Sequence, residues 1–396
     1  MQTPARRSAV LGCLLLALCA CSPGGTDGTA SSSTSATRSS AEVTETTTPV
    51  SGPEAAVAAA LTTLDRRAQI AQLFVAGVRL DDLGRGEELA SSGVGGIFLA
   101  GRSRASAADL ATTVGGWQDA APGPHLWVAA DQEGGSVQSL QGPGFDALPS
   151  ARNQGTLPPA EHAGLADRLG AALHDAGVNL DLAPVADVVP AGTEQANPPI
   201  GVFDRQYGST ADGVVAAAGR VIDGLAAHDV RATVKHFPGL GLVRENTDTS
   251  TAVVDGTTTA GDEQVAAFGR LARSPARPFV MMSSATYTRL DPTAPAAFSA
   301  VVLTDLLRGE LGFDGVVISD DVGNARAVSD VPAGERAVRF LAAGGTLVLT
   351  VDATVVPEMI DAVLARSDAD PGFARQVDAA VRIALLAKAE EGLLPG

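Results

Sequence analysis

Short apolar runs alternate with longer amphipathic stretches along most of this chain. The runs are rich in Val, Ile, Leu and Ala, which is typical of strands that are buried on both faces of a parallel sheet. They span residues 71–78, 94–99, 125–130, 178–183, 231–234, 278–282, 315–318 and 345–351. The pattern therefore predicts a strand at each run, with helices between the strands.

Helical periodicity between the runs supports this alternation. Leu165, Leu169, Leu173 and Ala176 recur at a spacing that places them on one face of a helix, and Gly177 follows where a helix commonly ends. Alternating strands and helices over this length favour an α/β fold with a single (β/α)8 barrel. A doubly wound open sheet is the alternative, but no glycine-rich dinucleotide turn follows the first strand.

The first residues are predicted to be a targeting segment. Arg6 and Arg7 precede an apolar stretch, residues 9–20, that is too short to span a bilayer. Residues 18–21 resemble a lipobox, which implies cleavage before Cys21 and attachment of diacylglycerol to its sulfur. An ordinary secretory signal with chance cysteines is the alternative.

Composition divides the rest of the chain in two. Residues 22–53 are mostly Ser, Thr, Gly and Ala and cannot bury enough surface to offset the entropy of ordering, so we interpret them as a disordered tether. Residues 1–21 would be the signal peptide and residues 54–396 the barrel. All three cysteines lie in the signal peptide, so the barrel is expected to fold without disulfides. We expect an extracytoplasmic protein that is held at the membrane by its lipid.

The charge of the chain argues against one class of partner and identifies none. Its formal net charge of -17 argues against nucleic acid as a partner, because nucleic acids select basic surfaces, although a well-solvated surface explains the charge equally well. No group of His, Asp or Glu has metal-ligand spacing, and we expect no metal or other cofactor. We also expect a monomer.

Polar residues follow many of the predicted strands at their C-terminal ends. In a barrel these ends converge on one mouth, where a pocket can form from residues far apart in sequence. Any single carboxylate at such a position has a helix N-cap as its alternative role. The residues concerned are Asp131, Asp187, Lys235, His236, Ser283, Ser284 and Asp320.

Two of these carboxylates point to carbohydrate chemistry. Asp320 ends an apolar strand, and a carboxylate delivered there is able to attack an anomeric carbon and form a glycosyl-enzyme intermediate. Asp131 begins the sequence Asp-Gln-Glu-Gly-Gly and is suited to accept hydrogen bonds from neighbouring sugar hydroxyls. The adjacent Asp321 is expected to be a cap or a supporting acid.

Several short sequence motifs in the chain resemble those of the β-N-acetylglucosaminidase branch of glycoside hydrolase family 3. The main one is residues 235–241, Lys-His-Phe-Pro-Gly-Leu-Gly, which is similar to the family signature KHFPGHG. Further similar words, in the same order as in the family, occupy residues 95–97, 131–135, 179–188, 205–208, 306–313 and 318–321. The resemblance covers about residues 64–349.

This resemblance implies a retaining exo-glycosidase that removes β-linked N-acetylglucosamine from the non-reducing end of a glycan. It implies Asp320 as the nucleophile. It also implies four sugar-binding residues: Asp131, Arg205, Lys235 and His236. For Arg205, a plain salt bridge is the alternative role.

Departures from the family pattern affect the remaining site residues. The arginines that usually follow the DQEGG word are missing from residues 135–139, and Ser284 stands where the family commonly has histidine. The family's acid/base histidine, thirteen residues after the lysine, is replaced by Asp248. We therefore predict Asp248 as the acid/base, on a polar loop at residues 242–250 that is able to close over the sugar. Glu245 is its rival, and loop capping is the alternative role.

These features support two classes of function. The first is a cell-surface enzyme that trims N-acetylglucosamine from peptidoglycan fragments, or a relative that prefers glucose or xylose. The second is a lipid-anchored barrel that has lost its acid/base and only binds cell-wall sugars. A carboxyl at residue 248 and the presence of Asp320 favour the enzyme.

Overall fold

Eight parallel strands form the centre of the molecule in the computed structural model, which describes residues 52–394. The strands in chain order are β1 (Phe74–Arg79), β2 (Gly96–Ala100), β3 (Trp127–Ala130), β4 (Gln132–Gly134), β5 (Val137–Gln138), β6 (Leu180–Asp181), β7 (Arg231–Phe237), β8 (Val254–Asp255), β9 (Phe279–Met282), β10 (Thr286–Tyr287), β11 (Val317–Ser319) and β12 (Val348–Thr350). The signal peptide, Cys21 and nearly all of the predicted tether lie outside the described residues.

The eight-stranded sheet closes on itself. Its order is β11-β9-β7-β6-β3-β2-β1-β12, with parallel pairing throughout. A parallel bridge between Ile318 and Leu347 joins its two edges. The predicted single (β/α)8 barrel is therefore confirmed, and the doubly wound alternative is wrong. The four remaining strands pair outside the barrel, β4 with β5 and β8 with β10.

Helices surround the barrel. The α-helices are α1 (Pro53–Thr63), α2 (Arg66–Ala71), α3 (Gly86–Ser91), α4 (Ala107–Ala120), α5 (Ala151–Gln154), α6 (Pro159–Asp175), α7 (Ala211–Ala226), α8 (Glu263–Ala272), α9 (Ala333–Ala342), α10 (Val356–Ala369) and α11 (Pro371–Glu390). A π-helix, Val301–Glu310, connects β9 to β11. The helix predicted before Gly177 is α6, and Gly177 has the positive φ of 77° that glycine tolerates at a helix end. No helix within residues 52–394 combines the length and apolar character that a membrane span requires.

Two strand boundaries differ from the prediction for identifiable reasons. The run at residues 178–183 forms only the short strand β6, because Pro184 follows it and has no N–H to donate to a sheet. In contrast, β7 continues to Phe237, where it pairs with Met282 of β9. Lys235 and His236 therefore belong to the last part of a strand, and an irregular loop starts at Pro238.

The residues that follow the C-terminal helix α11 contact the bottom of the barrel, where the strands begin. Arg231, the first residue of β7, donates to Glu391 and to the carbonyl oxygens of Ala276 and Arg277. Leu393 accepts a hydrogen bond from the His125 N–H at 2.7 Å. These contacts leave the opposite, C-terminal end of the barrel as its open mouth.

Candidate active site

The barrel mouth contains a cavity of about 260 Å³. Six of its lining residues are the predicted catalytic and sugar-binding residues: Asp131, Arg205, Lys235, His236, Asp248 and Asp320. The structure thus brings together side chains from positions 131 to 320, while their individual roles stay predictions. Two larger cavities, of about 400 and 830 Å³, are lined by none of these six residues.

Lys235 stands at the centre of a buried charged cluster. Its Nζ lies 2.7 Å from Asp131 Oδ1 and 2.6 Å from Glu133 Oε1. Burial lowers the pKa of Lys235, but the two carboxylates outweigh burial and raise it above its ordinary value. An ammonium group has three donors, so one remains for a ligand in the cavity.

Glu133 joins this lysine to Arg205. Its two oxygens accept from Arg205 Nε at 2.8 Å and Nη2 at 2.7 Å, a bidentate ion pair. Burial raises the pKa of Glu133, but the charges of Arg205 and Lys235 outweigh burial and hold it at about 2. The carboxylate is therefore ionised, and it fixes the positions of both cations.

Arg205 takes part in this salt bridge and also lines the cavity. Its Nη1 donates to the Pro199 carbonyl oxygen at 2.9 Å, so three of its N–H groups are engaged within the protein. A guanidinium has five donors, which leaves two for a ligand. The salt-bridge alternative describes part of what Arg205 does and does not prevent it from binding a sugar.

His236 is oriented by a carboxylate behind it. Asp187 is fully buried, and its Oδ2 lies 2.7 Å from His236 Nδ1. The other oxygen, Oδ1, accepts from the Leu240 N–H at 2.7 Å and from the His236 N–H at 3.3 Å. The Asp187 carboxylate accepts a hydrogen bond from the Nδ1–H group and thereby leaves Nε2 available to the cavity.

The glycines after His236 are required by backbone packing. Gly239 has a φ of 131°, which L side chains rarely adopt, and its carbonyl oxygen accepts from the Tyr287 hydroxyl at 2.9 Å. A Cβ at Gly241 would lie 1.9 Å from the Val188 carbonyl oxygen. The close approach of these backbones fixes the loop that follows the lysine and histidine.

Asp320 and Asp321 have different surroundings. Asp320 lines the cavity and accepts the Asp321 N–H at 2.8 Å through Oδ1. Burial raises the pKa of Asp320, and Asp248 raises it further, while His236 and Lys235 lower it. Asp321 instead accepts the backbone N–H groups of Gly323, Asn324 and Val351 at 2.9, 3.2 and 3.0 Å. Asp321 also lines the cavity, so its expected role as a cap or a supporting acid stays a prediction.

The loop at residues 242–250 brings Asp248 to the cavity and keeps Glu245 out of its lining. Asn246, Thr247 and Asp248 line the cavity, and Asp248 itself is exposed. The Asn246 side chain accepts the Asp248 N–H at 2.9 Å, and the Thr247 carbonyl oxygen accepts the Ala327 N–H at 3.1 Å. The second bond joins the loop to the segment after β11, and the cavity lining favours Asp248 over Glu245.

Some predicted neighbours of the site lie elsewhere, and one residue of the charged cluster was missed. Residues 135–139 do not line the cavity, and Ser284 is buried outside its lining. Asp187 was expected at the mouth but without an assigned role. Glu133 was not predicted as a site residue; the signal for it was its position two residues after Asp131. Within residues 52–394, no group of His, Cys, Asp or Glu is arranged to hold a metal ion.

A closed parallel barrel with two acids in a polar pocket at its C-terminal mouth defines a protein of the glycoside hydrolase class. The model of the glycosyl hydrolase family 3 N-terminal domain matches residues 65–384. The chain therefore belongs to glycosyl hydrolase family 3 and is a glycoside hydrolase.

Similar proteins of this family are known from several bacteria. A beta-hexosaminidase of Xylella fastidiosa strain M23 is 36% identical over 293 residues, which cover 70% of this chain and 82% of the relative. The crystal structure of the beta-N-acetylhexosaminidase from Beutenbergia cavernae is 44% identical, with a TM-score of 0.79 over 82% of this chain and 98% of that one. A family 3 beta-N-acetylglucosaminidase from Paenibacillus is 30% identical, with a TM-score of 0.74 over 83% of this chain and 63% of that one.

Proposed function

We propose that the chain is a retaining exo-β-N-acetylglucosaminidase that acts on peptidoglycan fragments outside the cytoplasm. The observation that carries this proposal is that Asp320 and Asp248 line the same small cavity as four polar side chains suited to sugar hydroxyls. The names of the similar proteins, beta-hexosaminidase and beta-N-acetylhexosaminidase, support the choice of an N-acetylated hexose.

The size of the cavity supports removal of one terminal sugar at a time. Pockets that enclose drug-sized ligands have volumes of roughly 300–1,000 Å³, and this cavity of about 260 Å³ lies just below that range. One sugar ring would fill it, and the rest of the glycan would extend outward. Lys235, Arg205 and His236 each keep a polar group available to such a ring.

The two acids provide the steps of a retaining mechanism. Asp320 attacks the anomeric carbon as a carboxylate, while Asp248 donates a proton to the leaving oxygen. Once Asp320 is an ester, Asp248 takes a proton from water, which attacks the anomeric carbon and releases Asp320. Since the charge of Asp248 raises the pKa of Asp320, the two carboxyls favour a state with one proton between them.

Substrate binding would place that proton on the correct acid. Asp248 is exposed to solvent before the substrate binds. A bound sugar and its leaving group would cover Asp248 and disfavour the carboxylate there, while Lys235 continues to favour the carboxylate of Asp320. The active protonation state therefore forms with the substrate in place.

The anchor and the cellular location are part of the same proposal. A lipid on Cys21 and a tether over residues 22–53 would hold the barrel near the cell wall, where peptidoglycan fragments are present. The net charge of -17 supports a protein that does not bind nucleic acid.

The primary test is hydrolysis of a panel of nitrophenyl β-glycosides by protein lacking residues 1–51. We expect the N-acetylglucosaminide to be the best substrate, and ¹H NMR of the first product to show the β-anomer. Faster hydrolysis of the glucoside or xyloside would assign glucose or xylose as the sugar that is removed. Initial release of the α-anomer would exclude a mechanism that retains the anomeric configuration. Sugar binding without turnover of any glycoside would support the binding protein instead.

The acid/base assignment has its own test. Asp248→Ala should lose activity on a natural disaccharide but keep activity on a substrate with a good leaving group, and azide should rescue turnover with formation of a β-glycosyl azide. Glu245→Ala is the matched control on the same loop, and it should show no azide effect. Full activity of Asp248→Ala on the disaccharide would remove Asp248 from the mechanism.

A further inference from the structure

We propose that Asp181 is a positioning residue, which holds the Asp131–Glu133 segment in place from beneath the sugar cavity. This inference rests on the proposed function, because it assumes that Asp131, Lys235 and Arg205 bind the sugar. Asp181 itself does not line the cavity.

The geometry connects Asp181 directly to the charged cluster. Asp181 is the last residue of β6 and is fully buried. Its Oδ1 accepts the Gln132 N–H at 3.1 Å, at the residue between Asp131 and Glu133. The Gln132 side chain is held on its other side by Leu140, at 2.8 and 3.0 Å. A small movement of this peptide would displace both carboxylates that contact Lys235.

Asp181 has a second oxygen that no protein group satisfies. Its Oδ2 is buried and has no hydrogen-bond partner. Burying an ionised carboxylate with an unpaired oxygen costs far more than burying a neutral acid with an unpaired hydroxyl. Asp181 thus occupies a place that suits a carboxylic acid better than a carboxylate.

The surrounding charges agree with a neutral Asp181. The groups that act on it are Lys235 from β7 and, from the segment after β3, Asp131 and Glu133; the Tyr207 ring is also nearby. Lys235 and Arg205 already balance Asp131 and Glu133, so an ionised Asp181 would add an unbalanced negative charge. Burial is the largest cause and raises the pKa of Asp181 to about 8.

Ionisation of Asp181 should therefore weaken sugar binding in alkaline solution. We expect kcat/KM of the full-length protein to fall between pH 7 and pH 9.5 with a midpoint near pH 8, by up to roughly thirty-fold, the limit reached when the ionised form is inactive. The substrate should be the 2,4-dinitrophenyl N-acetylglucosaminide, because its good leaving group needs no proton from Asp248. With this substrate, the pH dependence of kcat/KM does not include proton donation by Asp248.

Asp181→Asn is the informative variant, since asparagine can still accept from Gln132 and cannot ionise. We expect its kcat/KM at pH 7 to be within about three-fold of the parent value, with no fall toward pH 9.5. Asp181→Leu removes the acceptor and should lower kcat/KM roughly ten-fold at every pH, mainly through KM. Asp255→Asn is the control, because Asp255 is equally buried but lies outside the cavity lining, and its pH profile should match the parent.

The outcomes separate this inference from the proposed function. If the parent hydrolyses the substrate and Asp181→Asn keeps the parent's alkaline fall, Asp181 has no role in setting the site and the inference is wrong. A parent that hydrolyses no glycoside of the panel overturns the proposed function, and the inference with it.

Discussion

Replacing Glu133 with glutamine removes one negative charge from the centre of the site and leaves the shape of the side chain almost unchanged. In the folded protein Arg205 and Lys235 hold the pKa of Glu133 at about 2, against an ordinary value of 4.5. This difference corresponds to about 3 kcal/mol in favour of the folded state at neutral pH. The substitution also leaves two cations with less compensation in a buried place, so we expect a total loss of about 3–5 kcal/mol.

The sign of the pH dependence follows from the lowered pKa. The contribution of Glu133 is fully present above pH 4.5, because the carboxylate is then ionised in both the folded and the unfolded chain. It is lost as the pH falls toward 2, where the folded state must take up the proton. The difference in stability between parent and Glu133→Gln should therefore shrink in acid.

Urea unfolding at pH 7 and at pH 3.5 measures both effects. Glu335→Gln is a matched control, since Glu335 forms an exposed ion pair with Arg339 at 2.9 Å and should cost about 0.3–0.5 kcal/mol. Glu133→Gln should also raise KM for the glycoside, because Lys235 and Arg205 lose their common anchor. If Glu133→Gln costs no more than Glu335→Gln at pH 7, the ion-pair cluster does not stabilise the barrel and the reasoning is refuted.

Three further predictions concern other parts of the chain. Burial lowers the pKa of Lys388 to about 7, and its Nζ has Gln72 Oε1 as a partner at 2.6 Å. Lys388→Met should therefore raise the free energy of unfolding at pH 6, measured by urea titration, by about 2 kcal/mol. This gain should shrink toward pH 10, because the lysine of the unfolded chain then loses its proton as well. Asp320→Asn should reduce turnover by several powers of ten while calorimetry still detects sugar binding, and a 2-fluoro sugar should label Asp320 in the parent; labelling of a different acid would reassign the nucleophile. Cys21→Ala should leave the barrel folded and move it out of the membrane fraction, whereas a variant recovered in the detergent phase would contradict a lipid anchor at this cysteine.

The barrel could be predicted from sequence because its strands are buried on both faces. The residues of β9, Phe-Val-Met-Met, are all buried, and this run is apolar throughout. The π-helix at residues 301–310 could not be distinguished from an α-helix, since both place apolar residues on one face. The strands β8 and β10 are two residues long, which is too short for a periodic signal.

The site was predictable as far as it depends on where strands end. That rule located Asp131, Lys235, His236 and Asp320, and Asp248 followed from its spacing after the lysine. The ion pairs were beyond the rule, because Glu133 and Arg205 are separated by 72 residues and meet only in the folded chain. The raised pKa of the buried Asp181 was equally inaccessible, since desolvation has no counterpart in a linear pattern.

The packing of Gly241 has an evolutionary consequence. A side chain at this position would collide with the Val188 backbone whether or not a sugar is ever bound. The glycine is thus a requirement of the loop's architecture, and descendants that keep the loop must keep the residue even when their acids change. The acids at the mouth, including the proposed proton donor Asp248, are therefore under a different constraint from the backbone of this loop.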